Sequence, residues 1–464
     1  MGKLSIWEDC KYFYMFDTFI SVFEKNIDKS AILYNEELCS YNDLLNSVNS
    51  WKQFIITEEI LPGEIVAVQA DFTPNAISLI FALINNKNII VPLDVSSIAN
   101  NNNKLNISGA KYVFSFFEND DYELEIKKEV INHVFFDELN ARNTPGIVLF
   151  SSGSSGEPKA AVHDLNKLLI KFNSKRIALR TLNFLLFDHW GGLNTMFHIL
   201  SSGGLVITCK DRSPNFVCKL IEKYKIELLP ASPTFLKLLL LSDVYQNLNL
   251  DSLQIITYGT EPMPESTLIK LKSVFPNIKL LQTYGLIELG VMQTKSKSND
   301  SLWVKIGGEG YEYRVINGLL EIKADSAMLG YLNSESPFTA DGWFKTNDVV
   351  EVDGEFLKIL GRKSEMINVG GDKVFPQEIE NVILELNYVK DVLVYGEPNS
   401  IIGNIVCAKI RLVDDETLYR KDKVIDIKNH CKIKLSKFKV PVKILITTED
   451  LVNSRFKKDR NSIR

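Results

Sequence analysis

Between Ile65 and Gln282, short apolar runs alternate with stretches of helical periodicity, and this alternation limits the fold more than any other feature. Ile65–Gln69, Ile89–Leu93, Tyr112–Phe117, Ile147–Phe150, Leu182–Phe187, Leu205–Thr208, Ile226–Leu229, Leu253–Thr257 and Ile278–Gln282 read as strands. Asn75–Ile84 and Leu165–Phe172 read as helices, and the polar, turn-rich Asn100–Asn103 reads as a loop. Repeated βα units predict an α/β fold, with mostly parallel sheets and helices on both faces. After about Lys295 the pattern shortens and alternates, at Trp303–Ile306, Tyr313–Ile316, Leu319–Ile322 and Phe356–Ile359, which predicts an antiparallel β subdomain. The last hundred residues read as a small α+β domain, with strands near Val389–Tyr395 and Ile405–Arg411 and helices near Gln377–Leu386 and Val424–Leu435. The expected division is 1–361 and 362–464, with the polar Lys363–Ser364–Glu365 as a hinge that lets the small domain move.

Composition narrows the function classes. The chain has 464 residues, 45% of them hydrophobic, and a net charge of −5, so nothing points to nucleic acid. No apolar run approaches the ~18 residues of a membrane span. The N-terminus has no apolar core of the kind a signal peptide needs. Six scattered cysteines lack metal or redox spacing, which predicts reduced thiols and a cytoplasmic protein.

The chemistry begins at Ser151-Ser152-Gly153-Ser154-Ser155-Gly156, after the buried run Ile147–Phe150. Such a loop can wrap backbone N–H groups and hydroxyls around phosphate oxygens. Lys159 adds a positive charge. The P-loop pattern does not fit, because Gly156 follows Gly153 by three residues and Lys159 precedes Ala160.

Six stretches, in order from about Ile60 to Arg460, together resemble the acyl-adenylate-forming (AMP-binding) ligase superfamily. Its members include acyl- and aryl-CoA ligases and the adenylation domains of peptide synthetases. The Ser/Gly loop with Lys159 resembles its phosphate loop. Gly259-Thr260-Glu261 resembles the loop that approaches adenine and the acid. Thr283-Tyr284-Gly285-Leu286-Ile287-Glu288 resembles the motif in which an aromatic ring stacks on adenine and a glutamate holds Mg²⁺. Ile287 stands where the family has a threonine, and Thr283 offers a substitute hydroxyl. Asp341–Asp348 resembles G-W-x-x-T-G-D, which implies that Asp348 takes the ribose hydroxyls. Asn347 replaces a glycine there and suits a positive φ. The resemblance extends through Met328–Asn333 and makes Arg362 a second ribose and phosphate contact. Gly370-Gly371 resembles the loop bordering a pantetheine channel. Lys457, in Lys457-Lys458-Asp459-Arg460, takes the place of the lysine bridging carboxylate and α-phosphate, with Lys458 the neighbouring register.

The resemblance implies an ATP- and Mg²⁺-dependent ligase for a small carboxylic acid. The acceptor would be CoA or the phosphopantetheine of an acyl carrier protein. Asp188-His189-Trp190-Gly191-Gly192 resembles the acid-binding wall of acyl- and aryl-CoA ligases, with His189 facing the carboxylate. Phe187-Asp188 also occurs in amino-acid-activating domains, where the aspartate holds an ammonium. For a non-amino acid, Asp188 is expected to point away and bond backbone or solvent. Amino-acid activation and a degenerate, non-catalytic nucleotide-binding module are the alternatives.

Overall fold

The computed structural model describes residues 15–95, 98–128, 131–152, 157–174, 176–413 and 420–451. They form two compact units. The first holds the described residues up to Pro230 with Gly285–Val291 and Ala324–Pro337; the second holds Ala231–Tyr284, Met292–Lys323 and the residues from Phe338 onward.

In the first unit the strands run in the order Gly330–Tyr331, Pro158–Asp164, Gly146–Ser152, Ile89–Asp94, Ile65–Ala70, Tyr112–Phe116, Tyr122–Ile126. The middle of this sheet is parallel, and its edges are antiparallel. Its central strands are buried on both faces, as in Ile89–Asp94. Helix Pro74–Asn85 starts with Thr73 as cap and Pro74 in its first turn, and it is buried almost all round. A second sheet places Leu228–Ala231, Arg180–Leu182, Leu205–Ile207, Ser30–Tyr34 and Glu37–Ser40 side by side. Helix Met15–Lys25 sends Phe19 and Phe23 into an aromatic core with Phe81 and Phe197.

Three expectations change here. The Ser/Gly loop does not lead straight into a helix. Pro158–Asp164 returns as a strand paired along its whole length with Gly146–Ser152, and only then does the short helix Leu165–Leu169 begin. Ala160 and Ala161 are completely buried in this strand, paired with Phe150 and Leu149. Asn100–Asn103 belongs to helix Ile98–Ser108. Asn101, Lys104, Leu105 and Ser108 are its buried face, at helical spacing with a single apolar member, so the sequence pattern concealed it. Leu182–Phe187 is a strand only as Arg180–Leu182; Phe184 and Phe187 are buried from irregular backbone.

In the second unit, Ile255–Tyr258 and Lys279–Gln282 are parallel, with helix Glu265–Val274 between them. The antiparallel sheet has the order Gln293–Ser296, Val304–Gly307, Phe356–Arg362, Phe344–Asp353, Leu319–Ala324, Tyr311–Ile316. Its Asp353-Gly354 hairpin matches the expectation, with Gly354 at φ 60°. The C-terminal sheet pairs Val389–Asn399 with Gly403–Leu412 and adds Lys443–Thr447 in parallel. Helix Pro376–Ile383 packs Ile379 and Ile383 into a core with Val392, Val394, Val406 and Ile410.

Candidate active site

Backbone pairing fixes both ends of the Ser/Gly loop, with Ser151 opposite Lys159 and Ser152 opposite Pro158. Gly153, Ser154, Ser155 and Gly156 lie outside the described residues, as do Lys457 and Lys458. Asn333 braces the returning strand. Its Nδ2 donates to the Pro158 carbonyl at 2.9 Å, and its Oδ1 accepts from the Ala160 N–H at 3.0 Å.

Tyr331, two residues earlier, joins two site residues. Its hydroxyl donates to Glu288 Oε1 at 2.6 Å, and the Lys159 ammonium lies 5.4 Å from its ring centroid. Glu288 sits in the tight hairpin formed by Gly285–Leu286 and Gly290–Val291. His163 steadies this hairpin: its Nε2 bonds the Ile287 carbonyl at 2.8 Å. Burial pushes His163 down to about 4, so the ring is neutral at pH 7, and a carbonyl partner makes Nε2 the protonated nitrogen. No motif in the sequence singles out His163. The available signal was a lone polar ring closing the buried run Ala160-Ala161-Val162.

Mg²⁺ commonly takes one or two carboxylates and keeps water and substrate phosphates as its other ligands. Among the described residues no group of three acidic, histidine or cysteine side chains forms a metal cage. Glu288, a single carboxylate whose Oε1 accepts from Tyr331, is of the kind that would supply one ligand to a phosphate-borne Mg²⁺.

In the second unit Asp348 is the focus. Its Oδ2 accepts from the Tyr284 hydroxyl at 2.6 Å, and its Oδ1 lies 2.9 Å from Arg362 Nε. Asp348 and Arg362 are direct cross-strand neighbours, which sets that pair by register. Burial, then the Asp348 charge, hold the Tyr284 phenol well above its ordinary range. Asn347 adopts φ 60°, as a residue standing in for glycine should. Thr283 donates its hydroxyl to the Tyr258 carbonyl at 3.1 Å. A Cβ on Gly259 would come within 2.3 Å of that hydroxyl oxygen, so the close approach Gly259 permits here is by Thr283. Thr260 is exposed with φ 69°, a strained conformation for a β-branched residue costing about 1–3 kcal/mol. Glu261 accepts the Thr234 N–H at 2.7 Å, at the first turn of helix Pro233–Ser242. Gly370 and Gly371, at φ 61° and 98°, form the turn between Ile367–Val369 and Asp372–Val374, with open space around both.

In the first unit His189 caps helix Trp190–Leu200. Its Nδ1 accepts the Gly191 N–H at 3.0 Å, which leaves Nε2–H as the donor in the neutral ring. Asp188 departs from expectation. It is buried and pairs with the buried Lys104 at 3.1 Å, where backbone or solvent was expected. A buried carboxylate needs a partner of opposite charge, and helix Ile98–Ser108, hidden in the sequence, supplies it.

Residues 20–318 match the AMP-binding enzyme family, and residues 378–458 match the AMP-binding enzyme C-terminal domain. The chain belongs to the AMP-binding enzyme family. Its curated relatives are named as CoA ligases, which makes it an enzyme of the acid–thiol ligase class. This AMP-binding enzyme is 23% identical to 2-succinylbenzoate–CoA ligase of Bacillus subtilis over 478 residues, 94% of this chain and 95% of that one. It is 28% identical to indoleacetate–CoA ligase of Aromatoleum aromaticum over 302 residues, 59% of each chain. Its fold superposes on the anthranilate CoA ligase AuaEII in complex with anthranoyl-AMP with a TM-score of 0.83 at 17% identity, covering 97% of this chain and 96% of that one. These matches bear out the α/β fold with an antiparallel sheet and a C-terminal domain. Among the described residues no helix is long and apolar enough to cross a membrane.

Proposed function

We propose that this enzyme joins a non-amino carboxylic acid to a thiol by way of an acyl-adenylate. A carboxylate oxygen attacks the α-phosphorus of ATP, pyrophosphate leaves, and a thiol then displaces AMP from the acyl carbon. CoA is the acceptor in this reading, and a carrier-protein phosphopantetheine is the alternative. The first step exchanges P–O bonds with little proton transfer, so positioning and charge neutralisation supply most of the acceleration.

The observation carrying the reading is the Tyr331 junction, which ties Lys159, beside the Ser/Gly loop, to Glu288. Ser151, Ser152, Gly153, Ser154, Ser155, Gly156 and Lys159 would hold the phosphates. Bound Mg²⁺ would neutralise phosphate charge, held through Glu288. Asp348 and Arg362 would take the ribose. Tyr284, Thr283, Gly285 and the Gly259–Glu261 loop would face adenine and acid, and His189 would donate to the acid. Lys457 would bridge the carboxylate and the α-phosphate. Residues 362–464 would then rotate as a domain, withdrawing Lys457 and bringing Gly371 to the thiol. The reaction belongs in the cytoplasm, where ATP and CoA are available.

Asp188 speaks for a non-amino acid, since its charge already balances Lys104. The named relatives act on indoleacetate and 2-succinylbenzoate, which makes aromatic acids the first substrates to try. The test is ATP–pyrophosphate exchange across aryl, fatty and amino acids. Exchange with aryl or fatty acids is expected. Exchange with amino acids alone would overturn the substrate class, and no exchange despite ATP binding would favour a non-catalytic module.

A further inference from the structure

Three basic side chains converge on the one half-exposed face of helix Trp190–Leu200. That face is Gly191, Asn194 and His198, and the helix residues between them are buried. Lys171 Nζ donates to Asn194 Oδ1 and to the Val291 carbonyl, the latter at 3.0 Å. Arg176 Nη1 meets His198 Nδ1 at 3.0 Å, and its Nη2 donates to the Lys171 carbonyl at 3.3 Å. The Phe172 ring lies 5.2 Å from the Lys171 ammonium, 6.0 Å from the Arg176 guanidinium and 6.4 Å from the His198 ring.

The cluster is short of negative charge. Among the described residues no carboxylate pairs with Lys171 or Arg176. Burial, helped by the neighbouring Arg176 charge, pushes the Lys171 ammonium down to about 7. Burial pushes His198 down to about 4, so it is neutral and its Nδ1 accepts from Arg176. Lys171, Arg176, Asn194 and His198 are all part-buried and keep some accessible surface. Desolvated cations without a counter-charge are costly, and an anion arriving with a ligand removes that cost. The Arg176 fork suits a carboxylate in particular.

We propose that Lys171 and Arg176 bind a second anionic group on the acid substrate, which makes that substrate a dicarboxylic acid. The inference rests on the reading that His189 takes the reacting carboxylate. With a rise of about 1.5 Å per residue, Asn194 lies roughly 7 Å and His198 roughly 13 Å along the helix from His189. The far carboxylate would sit on the order of 7–13 Å from the reacting one, a span met by an aromatic or medium-chain diacid.

The test uses α,ω-alkanedioates and aryl dicarboxylates, each beside the monocarboxylate of the same skeleton, in ATP–pyrophosphate exchange. At least one diacid should exceed its monoacid in kcat/KM by about tenfold or more. Arg176→Ala, at a partly exposed position where folding is safe, and Lys171→Met should each erase that preference while monoacid exchange persists. Monoacids preferred throughout, or a diacid preference surviving in both variants, would overturn the inference. Thermal protection without ATP separates the two readings. If no acid exchanges, adenylation fails, while protection by a diacid that Arg176→Ala abolishes still supports the anion site, and none overturns it. Equal protection by inorganic phosphate would assign the site to a free anion and overturn the substrate claim.

Discussion

Tyr284→Phe isolates the hydroxyl that tethers Asp348. The substitution keeps the aromatic ring, and with it any stacking on adenine. It removes one bond of 2.6 Å between a buried phenol and a carboxylate that has Arg362 on its other oxygen. A hydrogen bond to a charged group contributes about 1.5–3 kcal/mol. If Asp348 must be held in one orientation to receive the ribose, KM for ATP should rise about 10- to 150-fold. Affinity for pyrophosphate, which has no ribose, should stay near wild type. The assay is initial-rate exchange over a range of ATP and then of pyrophosphate. Wild-type KM for ATP in Tyr284→Phe would refute the tether, and an equal loss for both substrates would point to general disorder of the site.

Lys457→Ala should abolish adenylation but spare thioester formation from supplied acyl-AMP; the same outcome at Lys458 in its place would move the register by one. His163 is neutral in the folded chain and binds its proton only near pH 4, whereas an unfolded histidine does so near 6.5. The unfolded chain therefore takes the proton first, and about 3 kcal/mol of stability should be lost as pH falls from 6.5 toward 4. Denaturant titrations should show that acid loss reduced in His163→Gln, and an unchanged pH profile would exclude the group. Lys237 Nζ donates to the Val389 carbonyl at 3.3 Å, a contact that rotation of residues 362–464 would break. Lys237→Met should shift the ratio of adenylation to thioester rates by up to about tenfold, and an unaltered ratio would show that the contact has no part in the rotation.

The sequence carried the fold wherever burial left an apolar trace. The strands Ile65–Ala70 and Ile89–Asp94 and the helix Pro74–Asn85 were legible because their buried faces are apolar. Helix Ile98–Ser108 was not, because Asn101, Lys104 and Ser108 form its buried face. The Lys104–Asp188 pair was lost with it, since 84 residues separate partners that only the fold brings together. Motif residues such as Glu288 and Asp348 could be picked out by their local context. The side chains that orient them, His163 and Tyr331 for one unit and Tyr284 and Arg362 for the other, work through long-range contacts. Thr283 and Gly259 show the converse: adjacent motifs suggested ligand contacts, while the nearest demand on both is their packing against each other.

The most direct test of acyl-adenylate chemistry follows oxygen. The best exchange substrate is prepared with ¹⁸O in its carboxylate and turned over with ATP and CoA, and the AMP is examined by mass spectrometry. Attack of the carboxylate on the α-phosphorus predicts AMP carrying one ¹⁸O, with unlabelled pyrophosphate. Unlabelled AMP, or ADP and phosphate as the products, would contradict it.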